Sequence, residues 1–255
     1  TLRGGSGRRN DSSPMGISME KEHIFKQYDA ELNEIRTRLL EMGGKVEKMI
    51  TDAMKALVDR DSDLARRIIA MDHEINHLEM DIDEKCLQVL ARRQPAGRDL
   101  RFLTLALKIV TDLERIGDQC TSVAKRAVEL NEEPPLKPYI DLPRMANWAG
   151  VMVKESLDAF VTGDEKLAIK VCRDDEFVDG LNDQIQRELL TFMIEDPTTI
   201  SRALKISYIS KYLERIADHA TNVAEMVIFM IKGKDIRHTP PPGVASLPVF
   251  LLRYS

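Results

Sequence analysis

Leu113-Glu-Arg-Ile-Gly-Asp118 returns one hundred positions later as Leu213-Glu-Arg-Ile-Ala-Asp218. Between Thr111 to Ala124 and Lys211 to Ala224, eight of fourteen positions are identical without a gap, including Thr121/Thr221, Val123/Val223 and Ala124/Ala224. Agreement of that density marks an internal duplication. Upstream, Asp61 to Leu90 lies on Asp164 to Met193 at an offset of 103, which aligns Ile68 with Val171, Ile75 with Val178, Leu78 with Leu181 and Ile82 with Ile185. The offset changes to 100 at Gln94-Pro-Ala-Gly97 and Asp196-Pro-Thr-Thr199, connections where a change of length disturbs packed helices least.

The 255 residues are 43% hydrophobic, 31% charged and only 5% aromatic, a composition that predicts a mostly helical globular protein. Helices are expected over about 22–58, 63–92 and 98–131, then 142–162, 164–194 and 197–232. Asp63 and Asp196 are the expected caps, Pro134-Pro135 the linker, and Gly43-Gly44 the site of a kink in helix one. The predicted fold is all-α, two tandem three-helix bundles related by internal duplication. The expected divisions are an expression linker over 1–18, a first repeat over 19–133, a second over 134–238 and a flexible tail over 239–255. No run of eighteen apolar residues is present to span a membrane. A net charge of −5 argues against a general nucleic-acid binder, and three scattered cysteines suit a reduced, cytoplasmic chain.

On the third helix, Leu100, Leu103, Leu107 and Val110 run along one line into Glu114 and Asp118. The polar face lies elsewhere, at Arg101, Lys108, Asp112, Arg115, Gln119 and Arg126. Helix six repeats the line with Ala203, Ser207, Ser210, Glu214, Asp218, Thr221 and Glu225. Helices two and five add Asp72, Asn76, Glu79 and Asp83, and Asp175, Asp179, Asn182 and Gln186, at i, i+4, i+7 and i+11.

Like-charged acids one turn apart repel, by roughly 0.2 to 0.5 kcal/mol in water and by more where apolar neighbours exclude it. A hard metal ion with oxygen ligands relieves that repulsion. The candidate ligands are Glu114 and Asp118 with Asp72 and Asn76 in the first half, and Glu214 and Asp218 with Asp175 and Asp179 in the second. The same acids could instead pair with Arg115, Arg215, Lys125 or Arg126 in a metal-free helical scaffold for protein partners. A metal-dependent hydrolase or oxidase is disfavoured: the chain has no Glu-x-x-His pair, nucleotide loop or nucleophile turn. His73 and His77 have helical metal spacing but are expected to be exposed, as is His219. Arg92-Arg93-Gln-Pro-Ala-Gly-Arg98-Asp-Leu-Arg101 is the one concentrated basic turn, expected to be a solvated connection with some capacity for recognition.

Ala91-Arg-Arg-Gln-Pro-Ala-Gly-Arg-Asp-Leu-Arg101 leading to Leu113-Glu-Arg-Ile-Gly-Asp118, and Glu195-Asp-Pro197 leading to Leu213-Glu-Arg-Ile-Ala-Asp218-His-Ala-Thr-Asn-Val-Ala-Glu225, resemble the PhoU family over about residues 22–238. The resemblance implies paired three-helix bundles with iron or other metal clusters (Mn, Zn, Mg or Ca in place of iron) on the acidic faces at Glu114, Asp118, Glu214 and Asp218, less directly at Asp72, Asn76, Asp175 and Asp179. It implies an adaptor, not an enzyme, that damps the phosphate-starvation response between the ABC phosphate transporter and a sensor histidine kinase. Such a protein meets the membrane only through its partners. A homodimer is expected from the frequency of symmetric dimers. Ala217 stands where the family usually has glycine, and Phe177 stands where the first half has Glu74, so the two sites are not expected to be equal.

Overall fold

The structure, a computed structural model, describes residues 14–232, with side chains from Lys26 onward. Residues 1–13 and the tail expected over 239–255 lie outside the described residues. Helix α1 (Pro14–Val58) starts inside the stretch read as linker, with proline at the one end of a helix that tolerates it.

One local device, used twice, sets the helix boundaries. After α1, Arg60 turns into the left-handed region at φ 57°, and Asp61 then accepts a hydrogen bond from the Leu64 amide to open α2 (Ser62–Arg93). After α4 (Asp141–Thr162), Gly163 turns at φ 71°, and Asp164 accepts from the amides of Lys166 and Leu167 to open α5 (Glu165–Glu195). A non-glycine residue in that backbone costs about 1 kcal/mol. Arg60 offsets it by donating to the carbonyls of Asn131 and Glu133 at 2.5 and 2.7 Å. The cap of α2 is therefore Asp61, two residues earlier than the expected Asp63, which pairs with Arg66 instead. Helix α3 spans Gly97–Asn131. Asp196 caps a 3-10 turn at Pro197–Thr199 that leads into α6 (Ile200–Lys232).

Six helices thus form two three-helix halves, as expected from the repeat. Within each half every helix packs on the other two. The halves join where α3 meets α6 and where α1 crosses α4. Arg101 donates to the carbonyl of Met230, Asp112 meets His219, and Arg126 lies over the ring of Tyr208, so α3 and α6 run antiparallel. Equivalent helices packed head to tail are what an approximate twofold axis between duplicated halves produces. Of the expected polar face, Asp112, Gln119 and Arg126 are consequently half-buried at the contact between the halves, where a buried oxygen of Gln119 has no hydrogen-bond partner, while Arg101, Lys108 and Arg115 are exposed as expected.

The glycine pair in α1 does not interrupt it. Gly43 is buried at the α1–α4 crossing, where an added Cβ would overlap a methyl of Leu157, while Gly44 faces open space. On α3, a Cβ at Gly117 would stand 3.2 Å from Cγ2 of Ile75. The second half has Ala217 at this place and the smaller Val178 where the first has Ile75, all four fully or nearly fully buried. The duplicated cores thus hold similar volume by different division. Gly117→Ala combined with Ile75→Val is expected to be more stable than the sum of the single changes by about 1 kcal/mol, measured as the coupling energy in urea denaturation.

Candidate functional site

Each acidic face is built where α2 meets α3, or α5 meets α6, because the carboxylate lines of both helices lean toward the shared groove. In the first half Glu114 is largely covered, with 16% of its side chain exposed, while Asp118 retains 41%. Burial pushes the Glu114 carboxyl above its ordinary value, and Asp118, Glu79 and Asp72 push it further, with Arg115 opposing. Burial also raises Glu79, helped by Asp83 and Asp118, and raises Asp83, one of whose oxygens is buried without a hydrogen-bond partner. Asp72 accepts from the Thr121 hydroxyl at 3.4 Å, and Asn76 is half-buried.

The second face is resolved differently. Ser207 donates to Gln186 at 2.7 Å, Gln186 to Ser210 at 2.8 Å, Ser210 to Asn182 at 2.9 Å, and Asn182 to Glu214 at 3.2 Å. This chain of neutral groups ends on one carboxylate, which also pairs with Lys211. The first half has Glu79 and Asp83 where the second has Asn182 and Gln186, and Leu107 and Val110 where it has Ser207 and Ser210. Asp175, Asp179 and Asp218 are half-buried beside this network.

The eight residues singled out in the sequence therefore fall on the two expected grooves, but their oxygens do not close on a point. Among the described residues no group of three or more His, Cys, Asp or Glu side chains is arranged to hold a metal ion. Arg115 reaches Glu114 at 3.4 Å and Asp118 at 3.5 Å, and Lys211 takes Glu214, which is the metal-free pairing. The donor chemistry suits a hard cation; the convergence does not. Glu79 and Asp83 belong to the first face as fully as Asp72. The signal was in the sequence, since they continue the same helical line.

In the basic turn Arg93 grips Glu31 through two hydrogen bonds, at 2.9 and 3.0 Å, and Arg101 donates to the other half, while Arg92, Arg98 and Arg101 remain exposed, as a solvated connection would leave them. His219, expected to be solvated, is half-buried with its Nδ1 2.8 Å from Asp112. His73 and His77 are exposed as expected.

The outer surfaces of the halves differ most sharply at one register position. Lys45 of α1 donates to Glu74 of α2 at 2.9 Å; at the corresponding places, Trp148 of α4 stacks on Phe177 of α5 with ring centroids 5.1 Å apart. Phe177 remains 58% exposed. An ion pair on one half is thus an accessible aromatic pair on the other.

The PhoU domain model matches residues 39–127 and again 142–227, one copy on each half. The chain belongs to the PhoU family. It is 47% identical over 217 residues to the phosphate-specific transport system accessory protein PhoU homolog of Pseudomonas aeruginosa, covering 85% of this chain and 90% of that protein. With the Escherichia coli accessory protein PhoU it shares 37% over 217 residues, covering 85% and 90%. The crystal structure of PhoU from Pseudomonas aeruginosa superposes with a TM-score of 0.78 at 46% identity, over 81% of this chain and all of that one. The phosphate transport system regulatory protein PhoU from Streptococcus pneumoniae gives 0.76 at 29% identity, over 82% and 98%. PhoU proteins carry the names of accessory and regulatory proteins of phosphate transport, and this chain is one of them, not an enzyme. No helix among its described residues is long and apolar enough to cross a membrane.

Proposed function

We propose that the chain is a cytoplasmic adaptor that damps the phosphate-starvation response by docking between the ABC phosphate transporter and its sensor histidine kinase. Family membership supports the phosphate-transport setting. The observation that carries the two-partner role is one frame with two unlike faces: Lys45–Glu74 on the first half and Trp148–Phe177 on the second. Accessible aromatic side chains are strong anchors at protein interfaces, whereas an exposed ion pair contributes little.

The internal repeat supplies a substitution that the fold already tolerates. Trp148→Lys with Phe177→Glu installs on the second half the pair used by the first. Because Trp148 also packs against the core, it is expected to cost about 1–2 kcal/mol of stability while weakening one partner, kinase cytoplasmic region or transporter ATPase subunit, by about tenfold or more. Biolayer interferometry against each partner reads this out, and unchanged affinity for both removes the aromatic pair from the docking surface.

A second role, metal binding by iron or by Mn, Zn, Mg or Ca, is favoured by one observation, the crowding of Glu114, Glu79, Asp72 and Asp118. The ligands would be Glu114, Asp118, Asp72 and Asn76 in the first half and Glu214, Asp218, Asp175 and Asp179 in the second. In chelated protein Arg115 offsets only part of the cost of holding these acids together in the groove, so Glu79→Gln with Glu114→Gln is expected to raise the Tm by a few degrees. The sign follows from the upward shifts: the folded state is penalised while these groups are ionised, and recovers stability as pH falls from neutral toward their ordinary value near 4.5. Should the wild type gain Tm on addition of Fe, Mn, Zn, Mg or Ca and the amide variant not, the groove binds that ion; identical responses dismiss the site.

A further inference from the structure

His73-Glu-Ile-Asn-His77 places two imidazoles one turn apart on α2, in the His-Glu-x-x-His spacing with which a helix can hold zinc. The neighbours on α2 settle which way the pair faces. Asp72 turns to Thr121 of α3, while Glu74 and Asp81 turn the other way, to Lys45 and Arg38 of α1 at 2.9 and 3.3 Å. Positions 73 and 77 lie between those two lines, on the crest of the helix, and both histidines are exposed. Helix α2 is unbroken through this stretch, so their Cβ atoms stand about 5–6 Å apart and one ring nitrogen of each can reach a single ion.

The fold requires neither ring. At the equivalent places the second half has Glu176 and Gly180, which are likewise exposed. The surroundings favour a cation: from residue 72 to 84, α2 carries Asp72, Glu74, Glu79, Asp81, Asp83 and Glu84 and no lysine or arginine. Imidazole donors select zinc, copper or nickel over magnesium and calcium, which take oxygen ligands. The hydrolytic side of the motif is missing. Glu74, in the place of the general base, is engaged by Lys45, and among the described residues no third His, Cys, Asp or Glu closes on the pair.

We propose that His73 and His77 form a surface site on the crest of α2 for a borderline divalent transition ion, zinc or copper, with water in its remaining positions. The site differs from the acidic groove in its donors and in the ions it selects, and it does not depend on the adaptor role.

Isothermal titration of the untagged full chain with zinc chloride in chelator-free buffer, and separately with magnesium chloride, tests it. Zinc is expected to bind with a Kd of about 1 to 100 µM. His73→Ala or His77→Ala should keep the thermal melt of the metal-free protein and weaken zinc at least tenfold, because the second contact of the chelate is lost. Glu79→Gln with Glu114→Gln, which removes two carboxylates from the groove, should leave zinc affinity unchanged. Electron paramagnetic resonance of the copper-loaded chain should show nitrogen coupling that His73→Ala with His77→Ala abolishes. Zinc affinity that survives loss of both histidines overturns the proposal. So does zinc binding lost in the groove variant instead, magnesium bound at the pair as tightly as zinc, or a copper spectrum indifferent to the two substitutions.

Discussion

Phe160→Ala is expected to lower the free energy of unfolding by about 3–5 kcal/mol, at the upper end for a single truncation. Phe160 is 2% exposed and stacks on Phe102 with ring centroids 5.1 Å apart and planes within 11°. The guanidinium of Arg36 lies over the Phe102 ring at 4.4 Å. The loss thus removes a large buried ring, a stacked aromatic contact and part of the support of a cation–π contact together. The site also lies between α3 and α4, so one ring from each half is involved. At the corresponding places the repeat has Leu57 and Arg202, and the stack has no counterpart to share the load. Phe160→Leu, which installs the first half's own choice, should cost much less. Urea denaturation of the three proteins, with the slopes compared to detect independent melting of the halves, decides the matter.

The second large effect is expected from two adjacent glycines with opposite signs. Gly43→Leu should destabilise by about 3 kcal/mol, because even a single added carbon overlaps the buried Leu157 and the rest of the side chain has nowhere to go. Gly44→Ala should stabilise by about 1 kcal/mol, since nothing lies near it and alanine is the better helix former. Thermal melts of the two variants beside the wild type will show Tm values displaced in opposite directions. Equal displacements would mean that the α1–α4 crossing is looser than Gly43 and Leu157 place it.

Local features were legible in the sequence and distant pairings were not. The repeated Leu-Glu-Arg-Ile motif, the Asp196 cap and the Pro/Gly connections depend on neighbours within a few residues, and from them the six helices and two halves follow. Asp112, Gln119 and Arg126 look like an outward face to any method that counts only polarity. Their coverage comes from His219, Tyr208 and the rest of α6, one hundred residues away. The acidic lines were likewise visible from spacing, and both do occupy helix–helix grooves. What spacing could not supply was the direction of each carboxylate. Arg115 and Lys211 set it, from the same helices as the acids they engage. Glu79 and Asp83 were on the same line and became distinguishable only beside Asn182 and Gln186, whose neutral network shows a second way to fill the equivalent space.

Asp112 meets His219 across the join, whereas their counterparts are Tyr212 and Gln119. Two identical subunits related by a twofold axis would have to make both contacts alike, and any substitution would strike both at once. Joining the copies in tandem lifts that obligation. Each side of the old symmetry can then drift alone, one keeping a charged surface and the other acquiring aromatic rings, while the shared architecture persists beneath them. Asymmetry of this kind is available to a fused pair and denied to a homodimer of its parts.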